Sequence, residues 1–209
     1  KNQLCSKTVK TNFTMAEPTL VVPPSGAVSA HCLRLRPGDK LMPSLKQAAS
    51  IILDRIPREQ CGSAFVITAV GSLQDVTLRL ANASRINRDA HDGNDIKRYA
   101  NKRFEVVSLT GTFSRDDGCH VHISLADAEG NVVGGHLIDG VIFTTCELVL
   151  GTAHGVEFSR EIDNDTGYKE LEAHQLVLRS GESMWWTKVS KVLVAMAVIG
   201  IVAGKVRSR

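Results

Sequence analysis

The chain changes its hydrophobic period several times, and each change marks an element. "AHCLRLRPGDKL" (30–41) alternates, with His31, Leu33 and Leu35 on one face and Cys32, Arg34 and Arg36 on the other. Pro37-Gly38 stops it, so the pattern predicts a strand. "MPSLKQAASIILDRIP" then places Leu45, Ala48, Ala49, Ile52 and Ile56 at helical spacing, and Pro57 ends the helix. "SAFVITAVGS" (63–72) is β-branched and apolar, and "VTLRLA" (76–81) alternates; the two predict paired strands joined near "SLQD". Residues 82–101 are polar with few apolar anchors and predict a mobile loop. "RFEVVSLTGTF" (103–113), "CHVHISLA" (119–126) and "NVVGGHLI" (131–138) predict three strands, joined by the turn chemistry of "SRDDG" and "DAEG". "VIFTTCELVLG" (141–151) predicts another strand. One principal helix and about seven strands with short connections give an α+β class built mainly on antiparallel β-sheet.

The domain boundaries follow from where these patterns stop. Residues 1–29 form an N-terminal extension expected to be disordered, 30–171 the folded domain, 172–183 a linker and 184–209 a C-terminal hydrophobic segment. Within the domain, "EFSREIDNDTGYKEL" (157–171) is polar and predicts a surface extension. "VLVAMAVIGIVAG" (192–204) has no charge, with Trp185, Trp186, Lys188 and Lys191 before it and "KVRSR" after it. A spanning helix needs roughly 20 apolar residues, but lysine stems reach back to the interface and tryptophan favours it. The segment therefore predicts a C-terminal hydrophobic helix that anchors the protein in a thin intracellular membrane; a buried helix is the alternative.

Charge changes the picture of possible partners. The net charge of +3 is concentrated at the ends: residues 1–14 and 188–209 hold basic residues and no acids. The body between them is acidic overall, which counts against its gripping a nucleic-acid phosphate backbone. Five cysteines (Cys5, Cys32, Cys61, Cys119, Cys146) form no CxxC pair, so reduced thiols in a cytosol-facing compartment are expected.

The candidate chemistry lies in "CHVHISLADAEGNVVGGH" (119–136). His120 and His122 leave one strand on the same face, while Val121 and Ile123 point the other way. The "DAEG" hairpin folds His136 back towards them, and an antiparallel neighbour lies about 5 Å away. Three histidine ligands with an open fourth position describe a catalytic type of zinc site; three separately satisfied polar residues are the alternative. Gly134 and Gly135 leave room beside His136 for a ligand or another chain. His31 shares a face with Leu33 and Leu35 and is not expected to be a ligand; His91, His154 and His174 lie in polar stretches and are expected in solvent. Cys119 and Cys146 read as buried, inert thiols. Glu105 and Glu147 are carboxylates within apolar strands and are the catalytic candidates. Arg103 shares a strand face with Glu105, so an ion pair competes with a general-base role.

The blocks "LRLRPGDKL", "FVITAVGSLQDVTLRLA", "RFEVVSLTGTFS", "HVHISLADAEGNVVGGHL", "TTCELVLG" and "FSREIDNDTGYKEL", in this order, resemble the plant and prokaryote conserved (PPC) domain from about Ala30 to Leu171. The resemblance implies an antiparallel α+β fold and a homotrimer. Plant members pair the domain with AT-hooks, work in the nucleus and meet partners through an RFE-type segment, which here is Arg103-Phe104-Glu105. No AT-hook core, Arg-Gly-Arg-Pro, occurs in the chain. Prokaryotic-type members keep the histidine pair and the later histidine, and this chain resembles that branch. The fold also resembles acetolactate decarboxylase and a zinc-dependent esterase, in which such histidines hold zinc; this implicates His120, His122 and His136. The expected function is thus a homotrimeric zinc-binding domain, tethered to a membrane through residues 184–209. A zinc-dependent hydrolase or lyase and a DNA-associated regulator in the nucleus are the alternatives. The sequence names no small-molecule substrate.

Overall fold

A computed structural model describes residues 24–81 and 95–177. The elements are β1 (Val28–Leu35), α1 (Leu41–Asp54), β2 (Ser63–Arg79), β3 (Ile96–Tyr99), β4 (Phe104–Ser114), β5 (Cys119–Ala126), β6 (Val132–Ala153), β7 (Val156–Ile162) and β8 (Lys169–Gln175). Six strands form one antiparallel sheet in the order β1-β6-β5-β4-β2-β3. β2 also pairs with β6, so the central strands β6, β5, β4 and β2 close on themselves. β7 and β8 form a separate antiparallel hairpin. The α+β class with one helix and a mainly antiparallel sheet stands as expected.

The interior is filled from every side of this ring. Leu73, Val76 and Leu78 enter from β2, Phe104 and Leu109 from β4, Val121, Ile123 and Leu125 from β5, and Leu137 and Ile142 from β6. Helix α1 covers the ring with Leu41, Leu45, Ala49 and Leu53. Its N-terminus has no side-chain cap from Lys40; instead Asp139 of β6 accepts the Met42 N–H at 3.2 Å. Such a carboxylate satisfies an otherwise orphaned helix donor and suits the positive end of the dipole. Beyond the other end, the Arg115 guanidinium donates to the carbonyls of Ile56 and Cys61, both at 2.6 Å.

The expected strand pairs merge into longer strands. "SAFVITAVGS" and "VTLRLA" are not a hairpin but the single strand β2. Its "SLQD" stretch holds bulges, with register shifts between Gly71 and Leu73 and between Gln74 and Thr77, and a positive φ of 54° at Asp75. Both halves pair with β6, so the chain bends without turning back. "NVVGGHLI" and "VIFTTCELVLG" are likewise one strand, β6. Asp139-Gly140 carries turn chemistry, but the carboxylate caps α1 and Gly140 is buried beside Leu73 and Val76 within the strand. Residues 96–99 of the expected loop form edge strand β3 on β2. The stretch 157–171, expected as a surface extension, has structure of its own: half-buried to exposed, it builds most of the β7–β8 hairpin. Eight strands are therefore present among the described residues. The hydrophobic segment 184–209 lies outside the described residues, as does His91. Among the described residues no helix is long and apolar enough to cross a membrane.

Leu78 is fully buried where β2 meets β6. Leu78→Ala is expected to lower unfolding free energy by about 2–5 kcal/mol in urea denaturation; a loss below about 0.5 kcal/mol would contradict this packing.

Candidate metal centre

Two turns set β5 in register. At its start, Ser114 N–H donates to the Gly118 carbonyl at 2.8 Å, with Asp117 at φ 61°. This places His120 opposite Thr112 and His122 opposite Thr110 of β4. At its end, the Asp127 carboxylate accepts the backbone N–H of Glu129 at 3.2 Å and of Asn131 at 2.8 Å. Aspartate here imitates a backbone turn, and Gly130 takes the positive φ of 81° that closes it. Lys102 holds the same carboxylate at 2.9 Å. The hairpin so formed places His122 directly opposite His136.

The alternation within β5 does the rest. Val121, Ile123 and Leu125 are buried, so His120 and His122 must leave the other face. The ring centroids of His120 and His122 are 4.8 Å apart, of His120 and His136 5.1 Å, and of His122 and His136 5.6 Å. One ligand atom from each lies within 4.8 Å of the others. His120 Nε2 and His122 Nε2 approach to 2.9 Å. With metal–nitrogen bonds of roughly 2.0–2.1 Å, tetrahedral donors stand about 3.3 Å apart, so small ring rotations bring the trio to bonding geometry. His136 Nδ1 is buried and has no hydrogen-bond partner. An orphaned polar atom in such a place calls for an explanation, and a set of imidazole donors fit to ligate a metal ion offers one. The three histidines can therefore hold a metal ion.

Close strand approach makes this arrangement possible. A Cβ on Gly134 would stand 2.8 Å from the Ile123 carbonyl oxygen, and one on Gly135 2.6 Å from the Arg79 carbonyl oxygen. The room expected beside His136 is thus taken by neighbouring strands of the same chain. Gly111 plays the same part, since its Cβ would stand 2.7 Å from the His120 carbonyl oxygen.

The histidines open onto clefts on both sides. One, of about 500 Å³, is lined by Arg79, Ser108, Thr110 and Ser124 along with all three histidines. Another, of about 380 Å³, brings Arg79, Arg160, Lys169 and Glu170 beside His120 and His136. Burial, followed by the Arg79 guanidinium and the other imidazoles, pulls His136 down to about 4. Burial also lowers His120, helped by His122 and Arg160. Both effects favour the neutral imidazole, the form that binds a metal.

The other candidates lie elsewhere. Glu105 and Glu147 are both exposed, and neither lines the histidine clefts. No ion pair joins Arg103 to Glu105; Arg103 stacks 4.0 Å from the Phe143 ring centre. Phe104 is buried in the core and meets Tyr99 edge-on at 5.4 Å, leaving Arg103 and Glu105 at the surface. His31 is half-buried and bonded to Thr152 at 3.2 Å. His154 is half-buried, bonded to Ser29 at 2.7 Å, rather than free in solvent. His174 is exposed and meets Ser159 at 3.2 Å. Burial raises the Cys119 thiol and pushes Cys146 up to about 11, so neither is a ready nucleophile. Sequence reasoning passed over Arg79, Arg160 and Glu170. Arg79 and Arg160 are single cations in strand-like stretches, and only their outward strand positions offered a signal.

The lowered His136 gives a pH dependence with a definite sign. Unfolded, it takes up a proton near 6.5; folded, only near 4. Between these values the unfolded chain binds more protons, so acidification destabilises the metal-free fold. An NMR titration of metal-free protein is expected to show a His136 midpoint near 4, and a midpoint above 6 contradicts the burial described.

Comparisons with known proteins agree with this architecture. The family pattern of the Plants and Prokaryotes Conserved (PCC) domain matches residues 23–154. The bifunctional protein GlmU of Synechococcus sp. (strain JA-3-3Ab) is 37% identical over 155 residues, covering 73% of this chain. That match covers 22% of GlmU, so the chain spans about a fifth of the length of the curated relatives it matches. A hypothetical protein from Salmonella enterica is 28% identical with a TM-score of 0.60, covering 74% of this chain and 99% of that one. A metal-containing protein from Archaeoglobus fulgidus is 23% identical with a TM-score of 0.57, covering 73% and 99%, a likeness of fold. With more than half of its length matched by the family pattern, this chain belongs to the Plants and Prokaryotes Conserved domain family.

Proposed function

We propose that this chain is the subunit of a homotrimeric metalloprotein whose His120, His122 and His136 hold zinc with one coordination position open to a cleft. The observation that carries this reading is the convergence of three imidazoles on a concave surface, one with a buried, partnerless Nδ1. An all-imidazole set suits zinc, which accepts nitrogen donors and tetrahedral geometry. The Archaeoglobus protein of the same fold is metal-containing, which supports the reading.

A divalent ion at this place supplies a Lewis acid for an oxygen donor entering the cleft. The chain's own residues prepare the surroundings. His136 stays neutral through the physiological range and keeps its lone pair available. Pairing with β4, and at His122 with β6 as well, fixes the backbone positions from which His120 and His122 project. The Glu170 carboxylate accepts the Thr166 hydroxyl at 3.0 Å and lines the cleft beside His120. It favours the second reading, a hydrolase or lyase, as the acid placed to accept or return a proton.

Subunit association draws on the exposed apolar side chains Ile67 and Val70 of β2 and Val132 and Ile138 of β6. Ile67 and Val70 stand at the opposite end of the β2–β6 pairing from Val132 and Ile138, so in this reading a neighbour covers two separate parts of the sheet. Exposed Arg103 and Glu105 serve as polar contacts to a partner in this reading.

Purified protein is expected to carry about one zinc per chain by elemental analysis, and His122→Ala to lose it. Equal zinc in both proteins refutes the assignment. Light scattering is expected to give three times the chain mass of 22.7 kDa; a monomer at micromolar concentration excludes the trimer.

A further inference from the structure

The histidine cluster does not stand in neutral surroundings. Arg79 closes β2 and Arg160 sits in β7, elements far apart in the sequence. Both line the cleft of about 380 Å³ beside His120 and His136, with Lys169 adding a third cation. Glu170 is the only carboxylate among the described residues lining that cleft. The three ion pairs among the described residues lie elsewhere and involve neither arginine. Both arginines are half-buried. A partly desolvated guanidinium without a carboxylate partner is costly unless a negative group reaches it.

The metal reading sharpens the imbalance. Three neutral imidazoles leave a dication's charge undiminished, and the two guanidinium groups add to it. One carboxylate cannot offset that sum. Arg160 is also fixed in place: one terminal nitrogen donates to Thr112 Oγ1 at 2.8 Å and the other to the Lys169 carbonyl at 3.4 Å. A guanidinium has five N–H donors, so a rigidly held one keeps donors for a ligand. Its planar fork matches the spacing of carboxylate and phosphate oxygens.

We propose that Arg79 and Arg160 form an oxyanion subsite beside the metal, and that the natural ligand is a small molecule bearing a carboxylate or phosphate group. The size of the cleft favours a small molecule over a polymer, and the convergence of cations selects charge over hydrophobicity. This inference rests on the metal reading for the ligand's second anchor. The arginines themselves are tested with or without metal.

The test is calorimetric titration of the zinc-loaded full chain with malonate and methylphosphonate, and with malonamide as the uncharged control. Both anions are expected to bind and malonamide is not. R79Q and R160Q are each expected to weaken anion binding by about tenfold or more, as loss of a charged hydrogen bond does, with zinc content unchanged. If R160Q fails to fold, R160K keeps the charge, removes the fork and is expected to show the same loss. Wild-type affinity in R79Q, or malonamide binding equal to malonate, overturns the subsite. The zinc-free protein separates the two ideas: anion binding that is weaker yet still sensitive to R79Q supports the subsite even if zinc is not the resident ion.

Discussion

The site depends on one constraint: how closely the backbones of neighbouring strands can approach around β5 and β6. Gly111, Gly134 and Gly135 stand where any side chain would meet a carbonyl oxygen of the next strand at under 3 Å. Their lack of a Cβ lets β4, β5, β6 and β2 draw into a ring, and the ring puts His122 across from His136. Larger residues would push the strands apart and carry the imidazoles away from one another. The glycines beside the histidines therefore hold the imidazole trio together through the sheet.

The same ring separates two environments by strand alternation alone. One face of β5 feeds Val121, Ile123 and Leu125 into a dry core, and the other sends His120 and His122 towards solvent and charge. His136 stands between, half-buried, with its protonation disfavoured by burial and by neighbouring cations. A metal centre here gains neutral donors without a supporting carboxylate on each ring. The cost is local positive charge, which the arginines increase.

Much of this was legible in the sequence where the pattern is regular. The alternation of "CHVHISLA" gives β5 over its full length, Cys119–Ala126, and the "DAEG" turn gives the hairpin that pairs His122 with His136. Legibility ended where regularity did. Bulges at Gly71 and around Asp75 break the period of β2, so one bent strand resembles two. Asp139-Gly140 has the composition of a turn, yet its role is set by a helix N-terminus far away in sequence. Glu105 and Glu147 stand out as acids among apolar neighbours, but their strand positions face solvent. Arg79 joins Arg160 and Glu170 at one cleft only through tertiary packing of β2 near the β7–β8 hairpin, which no local spacing encodes.

The β7–β8 hairpin has a separate consequence. It is its own two-stranded sheet, joined to the ring by such links as the Gly62–Glu157 bridge and the Arg160–Thr112 hydrogen bond. The histidines belong to the ring, whereas Arg160, Lys169 and Glu170 belong to the hairpin. The imidazole donors and the charged side chains of the cleft wall are thus carried on different pieces of chain. Sequence drift in the hairpin can therefore reshape the wall of the cleft while the imidazole trio stays intact, so one scaffold can present the same donors behind different doorways.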